Sequence, residues 1–117
     1  MPVTLSVQDL VARAQERVNT LSPDAVDQRR VNPGVLLVDV RDVRERKRDG
    51  HIPGSLHVPR GMLEFWVDPE SPYHKPELAQ AQALILYCNK GWRSALAAAT
   101  LQDMGLGDVA HMDGGFD

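Results

Sequence analysis

One stretch holds the residue types that carry nucleophilic chemistry: Cys88-Asn89-Lys90-Gly91-Trp92-Arg93-Ser94, which contains the only cysteine of the 117-residue chain. It follows the apolar run Leu84-Ile85-Leu86-Tyr87 and precedes an Ala-rich stretch of helical character. A loop between a buried strand and a helix tends to curl its backbone N–H groups inward as an anion nest. The helix N-terminus adds partial positive charge, and Lys90 and Arg93 bring two cations. All three effects favour thiolate over thiol, so the pattern predicts a reactive sulfur. Gly91 permits a positive φ and close approach of backbone to a ligand. The same cradle suits an oxyanion or a negatively charged sulfur adduct. The plainer reading is a small buried hydrophobe, since free cysteines are among the most buried residues. Trp92 is either a loop anchor or a pocket wall.

The elements that position this loop are legible in the apolar pattern. Ser6 and Asp9 resemble a capping box with Asp in place of Glu, and Val7, Leu10, Val11, Ala14 and Val18 recur at helical spacing, predicting a helix over 7–18. A short strand is expected over 18–21, and Ser22-Pro23 starts a second helix that ends near Arg30. Asn32-Pro33-Gly34 is a turn. The run Val35–Val40 reads as a strand buried on both faces. Residues 42–49 suit a charged helix ended by Gly50, residues 55–58 a short strand, and residues 61–66 a turn or two of helix. The Pro-containing stretch from Asp68 to Pro76 reads as a surface loop. A strand over 84–87, a helix over 93–104 closed by Gly105, and a strand over 108–112 follow. Buried strands alternating with helices predict an α/β fold with a mostly parallel sheet. Ligands of such sheets gather at the carboxyl ends of strands, which is where Asp39-Val40-Arg41 and Cys88–Arg93 fall.

Composition sets the outer bounds. Apolar residues are 43% and charged ones 25%, as in ordinary globular domains, and the length suits one domain. The net charge of −3 with few aromatics argues against nucleic-acid binding. One cysteine excludes an internal disulfide framework. No run approaches the roughly 20 apolar residues of a membrane helix, and the N-terminus lacks a secretory pattern. A reducing cytoplasm is the expected compartment.

Asp39-Val40-Arg41, Glu45 and Gly50-His51-Ile52-Pro53-Gly54-Ser55 together resemble the N-terminal signature of rhodanese-type sulfurtransferases. Cys88-x-x-Gly91-x-Arg93-Ser94 resembles their active-site loop, and Gly114-Gly115-Phe116 is similar to their Gly-Gly-aromatic stretch. The resemblance runs from about residue 18 to the end. It implies a three-layer fold, a central mostly parallel sheet of about five strands with helices on both faces, with residues 1–17 as a helical extension to a domain over 18–117. Family members often continue past the Gly-Gly motif into a closing helix, and this chain stops at Asp117. The expectation is that this helix is absent.

The resemblance also implies a chemistry. Cys88 is the catalytic nucleophile, cycling between thiolate and persulfide. Asn89, Lys90, Gly91, Trp92, Arg93 and Ser94 bind the substrate and the persulfide. The donor is a small sulfur anion such as thiosulfate, the acceptor cyanide or a thiol, and no cofactor is needed. Cysteine phosphatases and arsenate reductases have one residue more between cysteine and arginine, C-x5-R. The C-x4-R loop here makes a tighter cup, fitted to one extra sulfur, so phosphoryl transfer and arsenate reduction are disfavoured. A second reading keeps the fold as a sulfur-relay or regulatory module with a protein partner.

Other residues have plainer expectations. Asp39, Arg41 and Glu45 support the loop or simply brace the scaffold. His51 is a hydrogen-bonded turn residue. His57, His74 and His111 form no ligand-spaced cluster with the cysteine, so no metal is expected. The basic residues Arg41, Arg44, Arg46, Lys47 and Arg48 read as a solvated helix face. Arg60, Glu64 and Trp66 are expected near the pocket mouth. Leu96, Leu101 and Met104 are core positions, and Ala95, Ala97, Ala98 and Ala99 let their helix sit close to the sheet.

Overall fold

The computed structural model describes residues 1–116. Elements follow in the order α1 Val7–Arg17, β1 Asn19–Leu21, α2 Pro23–Arg29, β2 Val35–Asp39, α3 Val43–Asp49, β3 Leu56–His57, α4 Leu63–Val67, α5 Pro76–Gln80, β4 Ala83–Tyr87, α6 Trp92–Asp103 and β5 Val109–Met112. A 3-10 turn over Arg60–Met62 leads into α4. The five strands form one sheet in the order β1-β5-β4-β2-β3, and every pair is parallel.

Local chemistry accounts for the helix ends. The Ser6 and Ser22 hydroxyls cap α1 and α2 by accepting the Asp9 and Ala25 N–H groups. Asp9 does not complete a capping box. The reciprocal pair stands at α3, where Asp42 accepts from Arg44 N–H and Glu45 Oε1 accepts from Asp42 N–H. α6 ends in a Schellman pair, Leu106 N–H to Leu101 O and Gly105 N–H to Gln102 O, with Gly105 at φ 99°. α5 begins at Pro76, where the expected loop ends, and covers residues for which no element is expected. Five residues with Pro76 at the start and no side-chain cap carry little periodic signal.

The sheet is covered on both faces. On one, Leu84, Leu86, Cys88 and Val109 meet α6 through its alanines and Leu101, together with Ala14, Leu63, Val67 and Leu78 from α1, α4 and α5. On the other, Leu37, Ile85, Tyr87 and Met112 meet Val26 of α2, with Ile52 and Phe116 at the margin. Full burial of a side chain such as Ile85 is worth about 1.5–3 kcal/mol. Met104, expected in the core, is 39% exposed at the C-cap of α6. Among the described residues no helix is long and apolar enough to cross a membrane.

Asp39 of β2 sits in register with Tyr87 of β4. The segments that leave these central strands, 40–42 and 88–91, therefore emerge side by side at the carboxyl edge of the sheet.

Candidate active site

Cys88 follows the last residue of β4 and is 1% exposed. Gly91, at φ 83°, is the N-cap of α6 and turns its N–H onto Cys88 Sγ at 3.1 Å. Ser94 Oγ approaches the same sulfur at 3.5 Å from the first turn of the helix. The sulfur thus meets one backbone donor and one hydroxyl at a helix N-terminus, where negative charge is favoured. A pocket of about 270 Å³ opens beside it, lined by Glu45, Cys88, Asn89, Lys90, Trp92 and Arg93.

The structure gathers the residues of the loop but alters the expected charge. Arg93 donates Nη1–H to Glu45 Oε1 at 2.7 Å and Nη2–H to Oε2 at 2.9 Å. Of the two cations expected near the loop, that of Arg93 is therefore matched by a carboxylate in the pocket wall. Hydrogen bonding from Arg93 holds the Glu45 carboxyl below the usual carboxylate range, against its partial burial. Lys90 is exposed and enters no ion pair among the described residues. Trp92 forms the wall: it opens α6, is 59% exposed, and also borders an apolar groove of about 280 Å³ formed with Val7, Val11 and Ala12 of α1.

Beneath the loop lies a buried network. Arg41 is 0% exposed and donates to both carboxylate oxygens of Asp39, to Gly50 O and to Asn89 Oδ1. Asn89 Nδ2–H continues to Glu45 Oε2 at 2.9 Å. The Arg41 guanidinium also lies 4.4 Å from the Phe116 ring centroid. Burial pushes the Asp39 carboxyl up, but the hydrogen bonds and charge of Arg41, with Arg46, overcome this and hold it below its ordinary value. Asp39, Arg41 and Glu45 thus join the scaffold to the loop in one chain of bonds.

The carboxyl-terminal glycines seat the loop from the other side. Gly115 has φ 66°, and a Cβ there would stand 2.2 Å from Cys88 O and 2.5 Å from Asn89 C. Phe116 N–H donates to Cys88 O. The Gly-Gly spacing was visible in the sequence, but its contact with the cysteine was not.

Three further expectations are corrected. Arg60 pairs with Glu64 and reaches Thr100, while Trp66 packs under Lys75. None of these three lines the cysteine pocket. Arg41 and Arg46 are not simply solvated, because both donate to Asp39 and Arg46 donates to Ser55 as well. His51 is exposed and its side chain makes no hydrogen bond among the described residues. His111, whose spacing gave no link to the loop, is buried at 1% exposure with Nδ1 3.1 Å from Ser94 Oγ.

A five-stranded parallel sheet flanked by helices, with a cysteine loop at the carboxyl edge of its central strand, defines a class. The chain belongs to the rhodanese-like domain family, whose model matches residues 22–117. It is 31% identical over 99 residues to a sulfurtransferase of Allochromatium vinosum, covering 84% of both chains. It is 34% identical over 86 residues to the thiosulfate sulfurtransferase GlpE of Stutzerimonas stutzeri, covering 74% of this chain and 71% of the relative. A solved structure from Rhodopseudomonas palustris, described as a protein of unknown function and possible tyrosine phosphatase, superposes with TM-score 0.93 at 44% identity over 99% of this chain and 89% of its own. The human single-domain sulfurtransferase TSTD1 shares the fold at TM-score 0.66 and 24% identity, over 85% of this chain and 92% of its own.

Proposed function

We propose that this rhodanese-type sulfurtransferase moves sulfane sulfur through a persulfide on Cys88. The observation that carries the reading is the Gly91 N–H held 3.1 Å from Cys88 Sγ at the edge of an open pocket. The Cys88 thiolate attacks the outer sulfur of thiosulfate or of a persulfide donor. A new S–S bond forms, the donor S–S bond breaks, and its electron pair leaves on sulfite or on the donor thiolate. The persulfide anion stays in the cup formed by the Gly91 N–H and the Ser94 hydroxyl. Cyanide or an acceptor thiolate then attacks the outer sulfur, and the electron pair returns to Cys88. Lys90 draws the anionic donor, while Glu45 limits the contribution of Arg93. A reducing cytoplasm suits the free thiol.

The test is intact-protein mass spectrometry after thiosulfate and then after cyanide. The expected result is a gain of one sulfur at Cys88, discharged as thiocyanate, and no gain in Cys88→Ser. A folded protein with an accessible thiol that takes up no sulfur from thiosulfate or an organic persulfide overturns the reading. Uptake without turnover instead identifies a sulfur-relay module serving a protein partner. The phosphatase description of the Rhodopseudomonas relative offers a contrasting assay, since the C-x4-R loop predicts no hydrolysis of aryl phosphate.

A further inference from the structure

Outside the lining of the cysteine pocket, three side chains continue from the sulfur in a chain of polar contacts. Cys88 Sγ is 3.5 Å from Ser94 Oγ, Ser94 Oγ is 3.1 Å from His111 Nδ1, and His111 Nε2 is 3.0 Å from Thr20 Oγ1. The first three residues are at most 1% exposed, whereas Thr20 is exposed on the edge strand β1. The parallel register that pairs Thr20 with His111 holds the outer link in place. The inner link is held by α6, which presents Ser94 from its first turn.

We propose that Ser94, His111 and Thr20 form a proton relay linking the buried sulfur to solvent and coupling thiol ionisation to the tautomer of His111. It rests on the reading of Cys88 as the working thiolate. A neutral imidazole has one donor and one acceptor nitrogen, and a hydroxyl can both donate and accept. Two ordered arrangements follow. With a thiol, Sγ–H donates to Ser94 Oγ, Ser94 O–H to Nδ1, and Nε2–H to Thr20 Oγ1. With a thiolate, every bond reverses: Thr20 O–H donates to Nε2, Nδ1–H to Ser94 Oγ, and Ser94 O–H to Sγ. In passing from the first to the second, the sulfur proton moves to Ser94, the serine proton to Nδ1, the Nε2 proton to Thr20, and the threonine proton to water. One proton leaves the protein and the negative charge stays on sulfur, where the Ser94 hydroxyl now stabilises it.

The surroundings keep the ring neutral. Burial pushes His111 below the ordinary imidazole range, and Asp113 only partly opposes this. On the face of the sheet that His111 shares with α1 and α6, α1 buries Val11 and Ala14 and leaves Arg13, Glu16 and Arg17 exposed. Near the sulfur the charged groups are Lys90, Glu45 and Arg93. His111 and Thr20 act through Ser94, so they are positioning residues.

The test reads the side-chain nitrogens of His111 by NMR in the ¹⁵N-histidine-labelled protein across pH, beside the rate of Cys88 alkylation by iodoacetamide. The expected result is a change from Nε2–H to Nδ1–H with the same midpoint as alkylation. Thr20→Val, nearly isosteric at an exposed position, should slow alkylation at neutral pH about fivefold, the scale of one hydrogen bond. A ring that keeps one tautomer through the alkylation profile, or a Thr20→Val profile superimposed on that of the parent, overturns the relay. Sulfur loading from thiosulfate, measured in parallel, separates the two ideas. A tautomer change without sulfur uptake upholds the relay and removes the sulfur-transfer reading; sulfur uptake with a fixed tautomer does the reverse.

Discussion

Glu45 on α3 and Arg93 on α6 meet through both carboxylate oxygens and both terminal guanidinium nitrogens, at 2.7 and 2.9 Å, across 48 residues of sequence. The geometry is the bidentate fork that makes arginine–carboxylate pairs directional. Glu45 also accepts from Asn89 and from the Asp42 N–H, so one carboxylate fixes the cysteine loop, its arginine and the start of α3. The cost falls on substrate attraction, because a fixed negative charge stands in the pocket wall beside the cation an anionic donor would use.

Glu45→Gln keeps the side chain's size while removing that charge, and its single amide oxygen can retain two of the four hydrogen bonds that the carboxylate accepts. We expect KM for thiosulfate to fall about three- to tenfold, equivalent to about 1 kcal/mol of exposed electrostatics, and to depend more steeply on salt. Sulfur transfer from an uncharged organic persulfide should change little. Steady-state kinetics at two ionic strengths checks this, and an unchanged thiosulfate KM would show that Arg93 does not face the donor.

Beneath the loop, Asp39 and Arg41 are both fully buried. Removing one partner leaves an uncompensated buried charge, so Asp39→Asn should destabilise the fold by about 3–5 kcal/mol. Asp39 and Glu45 both have carboxyls held below their ordinary values. The stability they contribute is complete above the usual carboxylate pKa of about 4 and is lost as pH falls through their lowered folded values. Thermal melts should therefore be flat in this respect from neutral pH to about pH 5 and fall steeply below about pH 4. In Asp39→Asn the fall should be shallower, because the proton linked at Asp39 is gone. An acid limb identical to that of the parent would exclude Asp39 as its source.

Gly115 supports the loop at closer range. Its φ of 66° is unfavourable for residues with a Cβ, and the added carbon would stand 2.2 Å from the Cys88 carbonyl oxygen. Gly115→Ala should cost about 2–4 kcal/mol from left-handed strain and overpacking. Because the clash falls on the loop itself, sulfur loading should drop further than stability alone explains. Gly114→Ala has positive φ but no neighbour within 4 Å of its added Cβ, and provides the control for strain without the clash. Equal sulfur-loading rates in the two folded variants would remove the close approach as a determinant.

Much of this arrangement was readable beforehand because it is encoded locally. The run Val35–Asp39 and the run Ala83–Tyr87 are apolar enough to declare themselves strands, and the segment Cys88 to Arg93 falls at the junction of strand and helix, as expected. Pairings between distant segments have no such local signal. Nothing in the basic stretch over 41–48 distinguishes Arg46, which turns inward to Asp39 and Ser55, from Arg44 and Lys47, which stay exposed. The spacing of His111 to the cysteine matches no metal site and carries no other local signal. Its real partners, Ser94 and Thr20, come from a helix and an edge strand brought together only by the sheet order. The Gly-Gly motif was visible as a pattern, but its reason, contact with the Cys88 carbonyl, belongs to the tertiary structure.

Trp92 lies between the cysteine pocket and the apolar groove against α1, with its side chain 59% exposed. An exposed aromatic on a helix N-terminus adds little to folding, so Trp92→Ala should change stability by no more than about 0.5 kcal/mol. Its effect should instead depend on the acceptor. Cyanide reaches the outer persulfide sulfur without touching the wall, whereas an aryl or alkyl thiol must lay its apolar body somewhere beside the pocket. The substitution should therefore raise KM for aryl thiols about five- to thirtyfold, the scale of about 1–2 kcal/mol of lost apolar contact, and leave KM for cyanide unchanged. Running both acceptors on the same preparation separates a lost surface from a disturbed loop, since damage to the loop would slow cyanide as well. Equal losses with the two acceptors would make Trp92 a support for the cysteine loop, not a wall for the substrate.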